Sequence, residues 1–376
     1  MGKDINKSVF DEASKKKLEI FGESFEEWLP VFIYDRFITQ VSVFDFFAGS
    51  GTDIENNPGS PLILLDKAKG EKRKYCASVK KTIKFFFNEG KIHKSNELQK
   101  NSDAFIEQCK KNNNCLSCIY NYHILNYSFQ DLFNNLDLKR VFENKNIAKF
   151  VLLDQYGFSQ INEDIFKQLI SFPKTDFIFF ISSSFINRFK DHPYTKQNID
   201  TSKIAFENKK PNEIHRTVAD FFRSLIPSDK EYYLHHFSIK KGANYYGLIF
   251  GSNHTLGMEK FLKVCWRHDI LSGEADYNID NNWEANSLFS QLGENVKKDT
   301  VTKEIKELII SGKIRDNKTG LKYALIKGCE PKLFTEVVQN LINRKMIEII
   351  GKFNRQSTNI HKIKELYQIK CINNGK

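Results

Sequence analysis

The sequence predicts an α/β fold: an open, mainly parallel sheet, helices ahead of it, and a small basic domain of helices and a hairpin behind it. Three observations carry this. Apolar runs of strand length recur between helical patterns, at residues 41–46, 83–89, 148–154 and 176–182, and runs without polar alternation suit strands covered on both faces. The first run breaks at once into small residues, with Gly49 and Gly51 where a chain leaving a strand can turn sharply. The charge is lopsided: residues 296–376 hold 18 Lys+Arg against 8 Asp+Glu, so nearly all of the formal +11 sits in that segment.

The elements follow in order. Residues 8–34 place Phe10, Leu18, Phe21, Phe25, Trp28, Leu29 and Phe32 near helical spacing, with Lys15, Lys16 and Lys17 expected to face outward and Pro30 expected to kink or restart the helix. After the first strand and its glycine turn come a loop at 56–61 and a helix from 62. The second strand ends at Glu89, placed to accept two ribose hydroxyls or to be an ordinary strand-end charge. A helix over 93–108 leads to Cys109, Cys115, Cys118 and His123, a set that offers zinc four ligands or is simply reduced thiols in an insertion spanning about 105–123. Residues 125–131 read as a short third strand whose terminal Asp131 faces an adenine amine. The fourth and fifth strands run over 148–154 and 176–182, and 237–240 with 245–250 form a hairpin covered by a helix at 257–267. His235 and His236 are neighbours in a strand and point to opposite faces, which discounts a metal there.

The basic segment reads as three short helices at 301–311, 322–326 and 331–344, then strands at 346–350 and 363–369: a winged helix-turn-helix. Lys332, Thr335, Gln339 and Arg344 would face a nucleic-acid groove, with Lys352, Arg355 and Lys362 on the wing. DNA and RNA are equally open. The domains expected are 1–40 (N-terminal helices), 41–272 (α/β core), 273–298 (linker or helix) and 299–376 (basic winged helix). No transmembrane-length apolar run or signal-type h-region stands out, and seven cysteines in a long chain argue for a reducing cytoplasm rather than a disulfide scaffold.

The chemistry is read from two strand ends. Asp45 beside the glycine turn repels phosphate and suits a nucleoside that carries positive charge. Asp45-x-Phe47-x-Gly49-x-Gly51 resembles the first motif of S-adenosylmethionine-dependent methyltransferases; it matches neither the dinucleotide fingerprint nor the P-loop, and a purely structural turn is the alternative. At the fourth strand end, Asp154 and Tyr156 supply the types that hold an exocyclic amine and stack on its base, or else mark a non-catalytic strand end.

Taken together, residues 14–29, Phe44-Asp-Phe-Phe-Ala-Gly-Ser-Gly51 with Gly59-Ser60-Pro61, Leu153-Asp-Gln-Tyr-Gly157 and Tyr246-Gly-Leu-Ile-Phe250 are similar to the three-Cys-motif partner (TcmP) family. The resemblance implies a Rossmann-like class I methyltransferase sheet with a terminal winged helix, S-adenosylmethionine as cofactor, and a radical-S-adenosylmethionine-like protein as partner. Asp45 and Gly49 match the family's cofactor motif; Asp154, Tyr156 and Gly157 match its Asp-Pro-Tyr/Phe-Gly motif, with Gln155 in place of proline. The expected function is methyl transfer to a base amine of nucleic acid. The alternative is a catalytically silent binding or accessory protein of the same fold.

Overall fold

A computed structural model describes residues 8–78, 81–114, 118–155, 160–279, 296–353 and 366–372. The chain divides into two compact units, Met1–Tyr232 with Ser238–Asn253, and Tyr233–Phe237 with His254–Lys376. In the first unit the order is α1 (Glu12–Ile33), β1 (Gln40–Asp45), α2 (Ser60–Lys67), α3 (Lys74–Ser78), β2 (Thr82–Asn88), α4 (Ile92–Asn113), β3 (Tyr120–Leu125), α5 (Phe129–Phe133), α6 (Leu136–Glu143) and β4 (Ile147–Leu153). There follow α7 (Glu163–Ser171), β5 (Thr175–Ile181), α8 (Ser183–Arg188), α9 (Pro193–Asn198), α10 (Ile214–Ser224), β6 (Tyr233–Lys241), whose Tyr233–Phe237 count with the second unit, and β7 (Asn244–Ser252).

The seven strands form one sheet in the order β3-β2-β1-β4-β5-β7-β6. β1 pairs in parallel with β2 and β4, β2 with β3, and β4 with β5, whereas β7 runs antiparallel to β5. A mixed sheet of this order, with helices between the strands, matches a Rossmann-like methyltransferase fold.

Strand alternation sends phenylalanines to both faces, and each face builds its own core. On one, Phe25 and Trp28 of α1 pack on Phe150 at 5.4 and 5.1 Å between ring centres, and Phe25 meets Phe85. On the other, Phe44 stacks with Phe86 and Phe142 at 4.9 Å each. Every residue of β4 is buried. Its Lys149 directs Nζ to the carbonyls of Phe142 and Asn144 at the end of α6, 2.9 Å each, and burial pushes its pKa down to about 7.

Two expectations change. The third strand is Tyr120–Leu125, ahead of the expected 125–131, because Ser128 caps a new helix by accepting from the Asp131 N–H at 3.1 Å. Lys17 does not face outward with its neighbours. Lys15 and Lys16 pair with Glu12 and Glu19 on the surface, but Lys17 is turned inward and buried.

The second unit contains α11 (Thr255–His268), α12 (Val296–Ile310), α13 (Asn317–Ile326), α14 (Lys332–Asn343), β8 (Ile347–Ile350) and β9 (Gln368–Cys371), with β8 and β9 antiparallel. Helix α13 begins five residues before the expected 322, since Asp316 caps it through the Thr319 N–H. Trp266 Nε1 donates to the Gly328 carbonyl at 3.0 Å, and Lys297 donates to Glu274 and to the Ser272 carbonyl, tying α11, α12 and α13 together. Among the described residues no helix is long and apolar enough to cross a membrane.

Candidate functional site

β1 and β4 lie side by side in register at the point where strand order reverses, so their carboxyl ends open on the crevice where such sheets bind ligands. Asp45 ends β1 and Asp154 follows β4. Both lie on the α1 face, since Asp45 is in register with Leu152, two residues before Asp154.

Asp45 is fully buried. One carboxylate oxygen accepts from the Ser60 hydroxyl at 2.6 Å, the other from the Phe47 N–H at 3.1 Å. Burial pushes its pKa up to about 7, against the pull of Ser60 and the Phe47 N–H, while the Asp154 charge adds to the rise. Asp45 therefore holds the glycine turn to the start of α2. Gly49 and Gly51 take φ of +64° and +84°, the left-handed region that favours glycine, and a Cβ on Gly51 would come within 2.9 Å of Leu98. The Gly59 N–H donates to the Gly51 carbonyl at 2.8 Å and closes the loop.

Of the other cofactor candidates, Phe47 is half-buried with its ring 5.1 Å from Phe129. Glu89 stands just past β2, half-buried, with one carboxylate oxygen accepting from the Lys91 N–H. Asp131 is exposed on α5 and accepts from the Ser128 hydroxyl at 2.6 Å; it belongs to a helix cap rather than a strand end.

Asp154 meets Lys17, whose Nζ lies 2.5 Å from Oδ2 and 4.7 Å from the centre of the Phe180 ring. Gln155 is buried: its side-chain carbonyl accepts from the Gln160 and Ile161 N–H groups at 2.9 and 3.3 Å, and its amide donates to the Phe180 carbonyl at 3.5 Å. The side chain thus ties the end of β4 to Phe180, Gln160 and Ile161. Tyr156 and Gly157 lie outside the described residues.

Three residues at this crevice escaped the sequence reading. Lys17 lay on the apolar stripe four residues before Phe21, a position that a surface lysine does not take. Ser60 was read only within Gly59-Ser60-Pro61, a stretch that borders the cofactor or simply connects elements, and its bond to Asp45 was not foreseen. Asn88 ends β2 as Asp45 ends β1; its amide donates to the Phe46 and Tyr127 carbonyls, and its carbonyl oxygen accepts from the Tyr127 N–H.

The zinc set does not assemble. Cys109 is on α4, which packs on the β3 face that carries Tyr120 and Tyr122, whereas His123 points to the opposite face and stacks on Phe86 at 5.2 Å. Cys115 lies outside the described residues.

In the second unit Lys332 and Arg344 are exposed at the two ends of α14, and Lys352 is exposed after β8. Gln339 is half-buried and donates to Asn343; Thr335 is buried and cannot read a groove. Arg355 and Lys362 lie outside the described residues.

No family model and no curated protein matches the chain. Among solved structures it is similar to M. jannaschii TYW2 in complex with AdoMet, at 12% identity over 66% of this chain and 78% of that one, TM-score 0.31. It is similar to a human methyltransferase 10 domain containing protein at 11% identity over 63% and 83%, TM-score 0.31, and to the B. subtilis M1A22 tRNA methyltransferase TrmK at 9% over 88% and 94%, TM-score 0.30. The strand order, rather than these distant likenesses, assigns the fold.

Proposed function

We propose that the first unit is an S-adenosylmethionine-dependent methyltransferase whose substrate is nucleic acid, methylated at an exocyclic amine of a base, and that the chain is a three-Cys-motif partner protein. One observation carries the reading: two carboxylates on one sheet face stand at the ends of adjacent parallel strands at the switch point, Asp45 beside a left-handed glycine turn and Asp154 just past β4. The residues fit the cofactor. A buried carboxylate at the turn opposes phosphate and favours a cationic nucleoside, and Glu89 is at the strand end suited to ribose hydroxyls. When bound, the cofactor supplies a methyl group already activated on a sulfonium.

The chain's own work is positioning. Asp154 accepts a hydrogen bond from the target nitrogen and holds it in place, Lys17 orients Asp154, and Gln155 ties the end of β4 to Gln160 and Ile161. Tyr156 is the candidate for stacking on the base. Lys332, Gln339, Arg344, Lys352 and Arg355 are the candidates for holding the nucleic-acid backbone, because residues 296–376, in which they lie, hold 18 Lys+Arg against 8 Asp+Glu.

Calorimetric titration with S-adenosylmethionine, wild type beside Asp45→Asn, tests the cofactor site: micromolar binding that the variant weakens supports it, and no binding to a folded wild-type sample removes it. Transfer of labelled methyl to mixed tRNA and to duplex DNA, with Asp154→Ala beside wild type, then tests the acceptor site; the variant should lose transfer while keeping cofactor binding. A second reading, a silent accessory protein that works with a radical-S-adenosylmethionine-like partner, draws on the Lys17 ammonium that already occupies Asp154. Cofactor binding without transfer to either nucleic acid, together with stable co-purification of that partner from native cells, would favour it.

A further inference from the structure

On the α1 face, at the amino end of β3 and away from the strands' carboxyl ends, Cys76 of α3, Cys109 of α4 and Cys118 just ahead of β3 line a single cavity of about 10 Å³ together with Lys69, Arg73 and Tyr120. That is room for about one water-sized molecule. None of the three thiols is in a disulfide, and each is half-buried. Two N–H donors are aimed at Cys109 Sγ, Lys69 Nζ at 3.6 Å and Asn113 Nδ2 at 3.9 Å. Lys69 is itself held by Asp66 at 2.6 Å and lies 4.9 Å from the centre of the Phe105 ring. The Tyr120 hydroxyl is buried and has no hydrogen-bond partner, although the residue is only 5% exposed. A buried hydroxyl without a partner marks a place where a small polar group belongs.

Among the described residues these three sulfurs do not all lie within 4.8 Å of one another and so do not form a three-thiolate metal site. Two-thiol chemistry remains, and reactive cysteines sit in electropositive, partly exposed surroundings of this kind. We propose that Cys109 is a peroxide-reactive thiol and that Cys118 or Cys76, on the same cavity, captures its oxidised form as a disulfide. The Cys109 sulfur attacks one peroxide oxygen, the O–O bond breaks, and a sulfenic acid forms as the second oxygen leaves as water. The neighbouring thiol then attacks that sulfur and expels a second water. Two thiols and one hydrogen peroxide give one disulfide and two waters; the sulfurs lose two electrons and the peroxide gains them. The Tyr120 hydroxyl is the donor available to the departing oxygen. The proposal does not rest on the methyltransferase reading.

The test treats the purified full chain with hydrogen peroxide, blocks remaining thiols by alkylation, and maps disulfides by peptide mass spectrometry, with Cys371, half-buried in the second unit, as internal reference. A disulfide from Cys109 to Cys118 or Cys76 that forms several-fold faster than Cys371 is modified is the expected result. Cys109→Ser should abolish it, and Lys69→Met, which keeps all thiols, should slow it. Cys109 reacting no faster than Cys371, ending as sulfinic acid without a disulfide, or pairing with Cys115 would each overturn the proposal.

Discussion

Gln155 shows how one side chain replaces a missing ring. Proline limits the backbone covalently; here an amide restrains it by accepting from the Gln160 and Ile161 N–H groups. Gln155→Leu leaves those donors buried without a partner and should cost about 1–3 kcal/mol, read as a lower urea midpoint. Asp45 gives a pH-dependent expectation. With its folded pKa raised from the usual 3.8 to about 7, the native state keeps a proton that the unfolded chain releases, so stability falls as pH rises through that window and levels off above it. Urea unfolding at about pH 5 and about pH 8 should show wild type losing stability relative to Asp45→Asn, which lacks this linkage. A cationic cofactor prefers the ionised carboxylate, so wild-type affinity should also weaken below about pH 7. Asp45 and Asp154 were legible from the sequence because acids interrupt apolar runs there. Lys17 was not, because its partner lies 137 residues away and no local pattern links them.

At the scale of elements, strands were the most legible, since β1, β2, β4 and β5 are apolar runs bounded by polar residues. The β6–β7 hairpin falls where 237–240 and 245–250 were expected to pair, and turns at Gly242 with φ +58°. The third strand was misplaced because Tyr120–Leu125 carries exposed Asn121 and His123 and looks like a loop, while the span 125–131 offers Leu125, Tyr127 and Phe129, of which Phe129 belongs to α5. Close approach was invisible in the sequence. Gly320 on α13 faces the Phe334 ring of α14, and an added Cβ would fall 2.0 Å from its Cε2. Gly247 on β7 faces His215 in the same way, at 2.1 Å from Nε2, beside the Ser183 hydroxyl that bonds to Nδ1. Gly320→Ala should therefore destabilise the chain by about 1–3 kcal/mol through overpacking, measured by chemical denaturation.

For the whole molecule, charge was legible as a distribution and not as a site. The exposed side of α14 carries Glu336, 3.6 Å from Lys332, so its field is weaker than the lysine count suggests. If the second unit holds nucleic acid through phosphates, Lys332→Ala and Arg344→Ala should each weaken binding to any sequence and lower the slope of log affinity against log salt by about one. A salt-independent affinity would argue for protein docking instead. The thiol cavity was out of reach because Cys76 comes from a helix 33 residues upstream of Cys109, and only the sheet brings them together. Helix α2 joins the molecule's two chemistries. Ser60 at its first turn holds Asp45, and Lys69, two residues past its end, reaches Cys109. Eight helical residues form a stiff rod about 12 Å long, which passes on a shift at one end rather than absorbing it. The redox state of the thiols should thus be audible at the glycine turn: cofactor affinity measured on peroxide-treated and on reduced protein should differ, making the core its own oxidant gauge.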